Sequence, residues 1–360
     1  MTTPRPADIR RMVVKLGSST VAGRDGALDR ERVGAIAAQI AELRSAGVGV
    51  IVVSSGAIAA GMAPLGLTRR PGDMPTLQAA AAAGQPRLMD LYADLLGAHG
   101  VAVAQVLLTA YDIVQRRHYV NARNTMERLM ELGVVPVVNE NDTVAVEEIR
   151  YGDNDRLAAL VANIVHADLL VMLSDVEGVY TADPRRGGEL LRTVEQITPD
   201  VVSGASRGRS ALGSGGMASK IEAARMATLS GVGVVVASGN RAGVLVDVSK
   251  GEEVGTYFTP TRSRAAARKL WIAWAPTARG RIVVDAGAMH ALTHGKKSLL
   301  AAGVQAVEGT FKAGDAVEVV GPAGELVAKG LVSFDSHLLA EVAGTKGARA
   351  VIHRDQLVLM

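Results

Sequence analysis

Cysteine is absent from the 360 residues, so disulfides, thiolate nucleophiles and cysteine-ligated zinc or iron–sulfur centres are excluded, without bearing on compartment. Long apolar runs are also missing. The longest resemble Val48-Gly49-Val50-Ile51-Val52-Val53, far short of the ~20 residues that cross a bilayer, and no transmembrane span is expected. The chain opens with Met1-Thr2-Thr3-Pro4-Arg5-Pro6 and a polar stretch, without the apolar core of a signal peptide, which favours the cytoplasm. Charge of one sign is lacking too: 39 Lys and Arg against 36 Asp and Glu leave a net charge of +3, which is no nucleic-acid footprint. What is present, 48% hydrophobic and 21% charged residues, suits a globular chain long enough for two domains.

Short apolar runs alternate with amphipathic segments. Strands are expected at Met12–Leu16, Val50–Val53, Val101–Val106, Val134–Val138, Leu169–Leu173 and Val232–Val236, and the helices between them imply a mostly parallel sheet covered on both faces. Asp29 caps a helix over about Arg30–Ala46 that Gly47 stops. Alanine- and leucine-rich helices fill Pro75–Gly97, with a break at Gly84-Gln85-Pro86. An amphipathic segment covers Asp112–Leu132, and a short hairpin excursion is expected at Val144–Ile149, between two acidic clusters. After Phe258 the texture changes to a basic connector, with a boundary near Pro276, and strand-like runs such as Ile282-Val283-Val284 and Val317–Val320 suggest a small β-rich domain.

Polar residues gather where parallel strands end, the edge at which open α/β sheets bind ligands. Lys15 closes the first strand, either snorkelling to solvent or reaching an anion. Ser54-Ser55-Gly56, Asn139-Glu140-Asn141-Asp142 and Ser174-Asp175 close three others. Gly152-Asp153-Asn154-Asp155 opens the helix Arg156–Val165, where one of these residues can act as a cap. Gly213-Ser214-Gly215-Gly216-Met217-Ala218-Ser219-Lys220 is either a phosphate cradle at a helix N-terminus or a plain turn. It is not a P-loop, because Ser219 rather than glycine precedes the lysine. Two distant lysines with carboxylates and glycine loops suit phosphoryl transfer, which depends on charge neutralisation and positioning. No nucleophile elbow is visible, and His290 and His294 form the only i,i+4 histidine pair, either a metal pair or a solvated face.

Together with Val13–Ser18, Ser54–Gly61 and Tyr180-Thr181-Ala182-Asp183-Pro184, these motifs resemble the glutamate 5-kinase family of amino acid kinases over nearly the whole chain. The resemblance implies an αβα sandwich with a mostly parallel central sheet over 1–260, a connector over 261–276, and a small β-rich PUA-like domain over 277–360. It implies ATP-dependent phosphorylation of the L-glutamate side-chain carboxylate, the first step of proline synthesis. Lys15 and Lys220 would hold the transferring phosphoryl group, with Asp153 or Asp155 orienting them. Ser174, Asp175 and Ser214-Gly215-Gly216-Met217-Ala218-Ser219-Lys220 would hold ATP, with Mg²⁺ carried mainly by its phosphates. Ser55, Gly56, Asp142 and Asn154 would hold glutamate, Asp142 taking the α-ammonium. Further implied are a homo-oligomer, proline as a feedback inhibitor, and hand-over of the labile product to a reductase.

Two alternatives stay open at the sequence level. One is a sibling kinase acting on aspartate, acetylglutamate or a nucleoside monophosphate, with the same ATP loops and another acceptor pocket. The other is an RNA-binding protein, since PUA domains commonly meet RNA. Against it, residues 276–360 carry nine Lys and Arg against eight Asp and Glu, with few aromatics for base stacking.

Overall fold

In the computed structural model the described residues are 8–23, 27–109, 112–113, 116–144, 153–199, 201–202, 216–261, 278–295, 297–346 and 350–360. They fall into two units, Met1–Arg262 and Ser263–Met360. The expected boundary near Pro276 and most of the connector lie outside the described residues, as does the hairpin excursion beyond Val144.

Eight strands build the sheet of the first unit: β1 (Arg11–Leu16), β2 (Gly49–Ser54), β3 (Val103–Leu108), β4 (Val135–Glu140), β5 (Leu169–Ser174), β6 (Thr193–Val194), β7 (Gly233–Ser238) and β8 (Thr256–Phe258). Their order is β3-β4-β2-β1-β5-β7-β8-β6. Neighbours from β3 to β7 run parallel, and β8 joins β7 antiparallel. Strand β1 pairs with β2 on one side and with β5 on the other. Because the chain builds outward through β2, β4 and β3 before β5 returns to the far side of β1, the winding reverses beside β1, the kind of switch point at which open α/β sheets bind ligands at their strand carboxyl ends. The expected strand at Val101–Val106 begins two residues later, at Val103.

Helices cover both faces. They are α1 (Ser18–Val21), α2 (Arg30–Ser45), α3 (Ala57–Met62), α4 (Met74–Gly97), α5 (Arg116–Glu131), α6 (Asp153–Ile164), α7 (Met217–Leu229) and α8 (Val244–Ser249). Helix α2 follows the sequence closely: Asp29 Oδ1 accepts from the Arg32 backbone N–H at 2.9 Å, and Val33, Ile36, Ala37, Ile40 and Leu43 are buried. Side chains alternate along β1, so Met12, Val14 and Leu16 join the core shared with α2, α4 and α8. Val13 and Lys15 point to the opposite face, where α6 and α7 pack against one another.

Helix α4 overturns one expectation, since it runs unbroken through Gly84-Gln85-Pro86. An internal proline costs a helix ~3 kcal/mol, but burial of Leu77, Ala80, Ala81, Leu88, Leu91, Tyr92 and Leu96 outweighs a local break. The same segment makes the tightest crossing in the unit. A Cβ on Gly84 would stand 1.8 Å from the Ala57 carbonyl oxygen, and one on Gly61 would stand 1.8 Å from that of Ala80. Only glycine lets the α3 and α4 backbones approach so closely.

In the second unit, β9 (Gly280–Val284), β11 (Val304–Gly309), β12 (Ala316–Val320), β13 (Leu326–Leu331) and β15 (Leu357–Leu359) form a sheet in the order β11-β9-β12-β13-β15. Strands β10 (Leu299–Leu300) and β14 (Ala350–Ile352) pair separately. Ile282, Val284, Val317, Val319, Leu339 and Ile352 belong to its core. Here α9 (Ala286–Thr293) precedes α10 (Ser336–Val342). His290 and His294 stack with ring centroids 4.4 Å apart on an exposed surface. No helix among the described residues is long and apolar enough to cross a membrane.

The Gly84→Ala variant is expected to lose about 1–3 kcal/mol of stability from overpacking, although alanine is the better helix former. Urea unfolding of the purified protein measures this, and an unchanged midpoint would show that the crossing can spread at little cost.

Candidate active site

Lys15 lies in a central strand, with Val53 of β2 and Met172 of β5 as its register partners. It does not snorkel, for only 4% of it is exposed. A buried ammonium needs a partner, and α6 supplies one from its first turn. Lys15 Nζ lies 2.6 Å from Asp155 Oδ1, and Asp155 is fully buried. The other carboxylate oxygen, Oδ2, takes Lys220 Nζ at 3.3 Å and the Ser219 hydroxyl at 2.7 Å. Lys220 and Ser219 come from the first turn of α7, and Lys220 is 6% exposed.

The charges tune one another. Burial lowers the Lys15 pKa, and Lys220 lowers it further, against the opposing pull of Asp155. Burial pushes the Asp155 carboxyl up, but Lys15, Lys220 and the Ser219 hydroxyl together hold it below the ordinary carboxylate value. Asp155 therefore stays ionised. Among the described residues Lys15 has no other ion partner than Asp155, and an ammonium has three donors, so capacity remains for an incoming anion.

A second polar group sits at the ends of β2 and β4. Asn154, beside Asp155 in α6, donates through Nδ2 to Ser55 Oγ at 3.1 Å and to Asn139 Oδ1 at 3.2 Å. Its own Oδ1 is buried and has no hydrogen-bond partner among the described residues. Gly56 turns the chain into α3 with φ 109°, where a Cβ would also meet Val21 at 2.9 Å. Asp142 lies two residues beyond β4, half-buried.

On the other side of β1, Ser174 ends β5, and its hydroxyl donates to Asp175 Oδ1 at 3.1 Å. Gly216 is the N-cap of α7, followed by Met217 and Ala218 in its first turn. Ser214, Gly215 and the side chain of Asp153 lie outside the described residues. Within Tyr180–Pro184, Asp183 Oδ1 accepts from the Arg185 backbone and Thr181 Oγ1 from that of Glu189, so both side chains brace their own turn.

Two buried polar residues of α4 had no motif to announce them. Gln85 Oε1 accepts from Asn139 Nδ2 at 2.8 Å, and the Tyr92 hydroxyl bonds Ser54 Oγ at 2.8 Å. The available signal was chemical: a polar group on the buried face of an apolar helix has to find a partner.

Residues 10–238 match the amino acid kinase family and residues 280–353 the PUA domain. Glutamate 5-kinase of Frankia casuarinae is 50% identical, over 99% of this chain and 98% of its own. The enzyme of Myxococcus xanthus is 48% identical, over 98% and 96%. A solved UMP kinase from Bacillus anthracis aligns at 16% identity and TM-score 0.48, over 70% of this chain and 96% of that one. With both relatives matched nearly end to end, the chain belongs to the amino acid kinase family, as a glutamate 5-kinase with a C-terminal PUA domain.

Proposed function

We infer that the chain phosphorylates the side-chain carboxylate of L-glutamate with ATP, releasing ADP and L-glutamyl 5-phosphate for proline synthesis, and that Lys15, Lys220 and Asp155 carry the transfer. The observation behind this assignment of roles is the Asp155 carboxylate shared by two buried lysines from distant parts of the chain. A glutamate carboxylate oxygen attacks the γ-phosphorus in line, a new P–O bond forms, and the bond to the β-phosphate oxygen breaks with its electron pair leaving on ADP. The attacking carboxylate is already ionised at neutral pH, so no general base is required. Lys15 and Lys220 neutralise the oxygens of the moving phosphoryl group, and Asp155 holds both ammonium groups in place before ATP arrives.

The acceptor occupies the Ser55, Gly56, Asp142 and Asn154 side of β1. Asn154 Oδ1, a buried acceptor without a partner among the described residues, is suited to the α-ammonium together with Asp142. Ser174, Asp175 and Ser214 through Lys220 hold the nucleotide at the start of α7. Mg²⁺ is assigned to the ATP phosphates, whose charge it offsets, because the buried carboxylate of the cluster is already shared by two lysines.

In this reading residues 1–260 contain both substrate sites, 261–276 connect, and 277–360 form a separate PUA-like module. Proline shares the α-ammonium and α-carboxylate of glutamate and competes for its pocket. Apolar side chains exposed between Pro75 and Leu132, among them Val120 and Leu132, contribute to a subunit contact. The labile acyl phosphate passes to a downstream reductase, and the chain works in the cytoplasm.

Glutamate-dependent ADP release with hydroxylamine trapping of the acyl phosphate tests the reaction, and proline in the same assay should inhibit it. Lys15→Ala and Lys220→Ala are each expected to lower kcat by about 100-fold or more with little change in glutamate KM. Near-normal turnover in both would end the two-lysine mechanism. Asp142→Ala should instead raise glutamate KM, and an unchanged value would move the ammonium site elsewhere. Since the buried Lys15 is held below 10.5, its cationic form is lost at lower pH than for an ordinary lysine. The alkaline limb of kcat/KM for ATP is expected below pH 10.5, and a profile flat to that pH would contradict the role of Lys15.

A further inference from the structure

We propose that Gln85 is a positioning residue for the acceptor site, fixing through Asn139 which way the Asn154 amide faces. The inference rests on the reading of Ser55 and Asn154 as acceptor pocket.

The Glu140 backbone N–H donates to Asn139 Oδ1 at 2.9 Å. A backbone N–H is only a donor, so it holds the oxygen of the Asn139 amide on its side and turns Nδ2 the other way. There Nδ2 meets Gln85 Oε1 at 2.8 Å, the two residues being 2% and 8% exposed. Gln85 Nε2 faces Gln105 Oε1 at 3.4 Å, which leaves the Gln85 oxygen for Asn139. With Asn139 so oriented, its Oδ1 also accepts from Asn154 Nδ2 at 3.2 Å. The second bond of Asn154 Nδ2, to Ser55 Oγ at 3.1 Å, has the same sense. Both bonds spend the nitrogen of the Asn154 amide, so its oxygen is left as a buried acceptor without a partner among the described residues.

The order of donors and acceptors therefore runs from α4 through β4 to α6. Its anchor is closely packed, because Gly84 sets the α4 backbone against α3 immediately before Gln85. Without the Gln85 oxygen, the buried Nδ2 of Asn139 loses its acceptor, a loss that favours rotation of the amide. Rotated, Asn139 presents a donor to Asn154 Nδ2 and no longer fixes it. Gln85 touches neither substrate nor lysine in this account, so its effect falls on glutamate affinity.

The test compares Gln85→Met, close in length and shape but without an amide, with wild type, Asn139→Ala, Asn154→Ala and the Gln85→Met/Asn139→Ala double variant. Gln85→Met is expected to raise glutamate KM about tenfold, with ATP KM within about twofold and a smaller change in kcat. Gln85→Glu, which keeps an acceptor toward Asn139, should recover most of the loss. The double variant should be no worse than Asn139→Ala alone, the non-additivity of residues acting in series. Gln85→Ala carries the same expectation and replaces the methionine variant if that does not fold. A lowered melting temperature with wild-type glutamate KM would overturn the proposal and make Gln85 a core residue only, and additive effects in the double variant would overturn the route through Asn139. A raised KM in Asn154→Ala but not in Gln85→Met would sink this inference alone, whereas an unchanged KM in Asn154→Ala would sink the pocket reading and the inference with it.

Discussion

The Asp155 carboxylate, completely buried and shared by Lys15 and Lys220, is the interaction around which the first unit is arranged. Ionised groups leave water at a cost that is offset only with close partners. Three elements must converge before any one of these charges is tolerable inside the protein: the central strand β1, the first turn of α6 and the first turn of α7. The lysines without the aspartate would repel each other, and the aspartate without them would be driven toward its neutral form. The charge cluster thus constrains the fold as much as the fold supplies the cluster.

The crevice beside β1 has two sides of different chemistry. Toward β5 and α7 lie backbone turns and hydroxyls suited to phosphate. Toward β2 and β4 lie amides in a directed chain of hydrogen bonds that ends on Asn154 Oδ1, which has no partner among the described residues. Residues 154 and 155 are neighbours on α6 yet serve opposite sides, because successive helical side chains diverge by about 100°. One helix turn thereby joins the Asn154 amide network to the two-lysine cluster. The glycine crossing of α3 and α4 holds the amide side from behind, since α3 follows the Ser55-Gly56 turn directly and α4 carries Gln85.

Much of this was legible in the sequence, and the failures have physical causes. A lysine ending a buried apolar strand announced Lys15, and Asp29 with the spacing of Val33, Ile36, Ile40 and Leu43 announced α2. Which acidic residue meets the lysines was not legible: the choice between Asp153 and Asp155 depends on helical phase, and α6 begins at Asp153 rather than at the expected Arg156. Pro86 misled because a local rule met a tertiary one, the buried face of α4 outweighing the proline. Gln85 was invisible for another reason. Its partner Asn139 is 54 residues away, and only the topology of the sheet brings the end of β4 to α4. In the second unit the glycine-punctuated runs at Ile282–Val284 and Val317–Val320 located β9 and β12, while their parallel pairing had no counterpart in the pattern.

The central claim, that one carboxylate organises both lysines for transfer, is tested most directly by Asp155→Asn, which keeps the shape and removes the charge. Single-turnover phosphoryl transfer at saturating ATP and glutamate should slow by about 100-fold or more, with the variant folded by circular dichroism. Transfer at close to the wild-type rate in the folded variant would contradict the account.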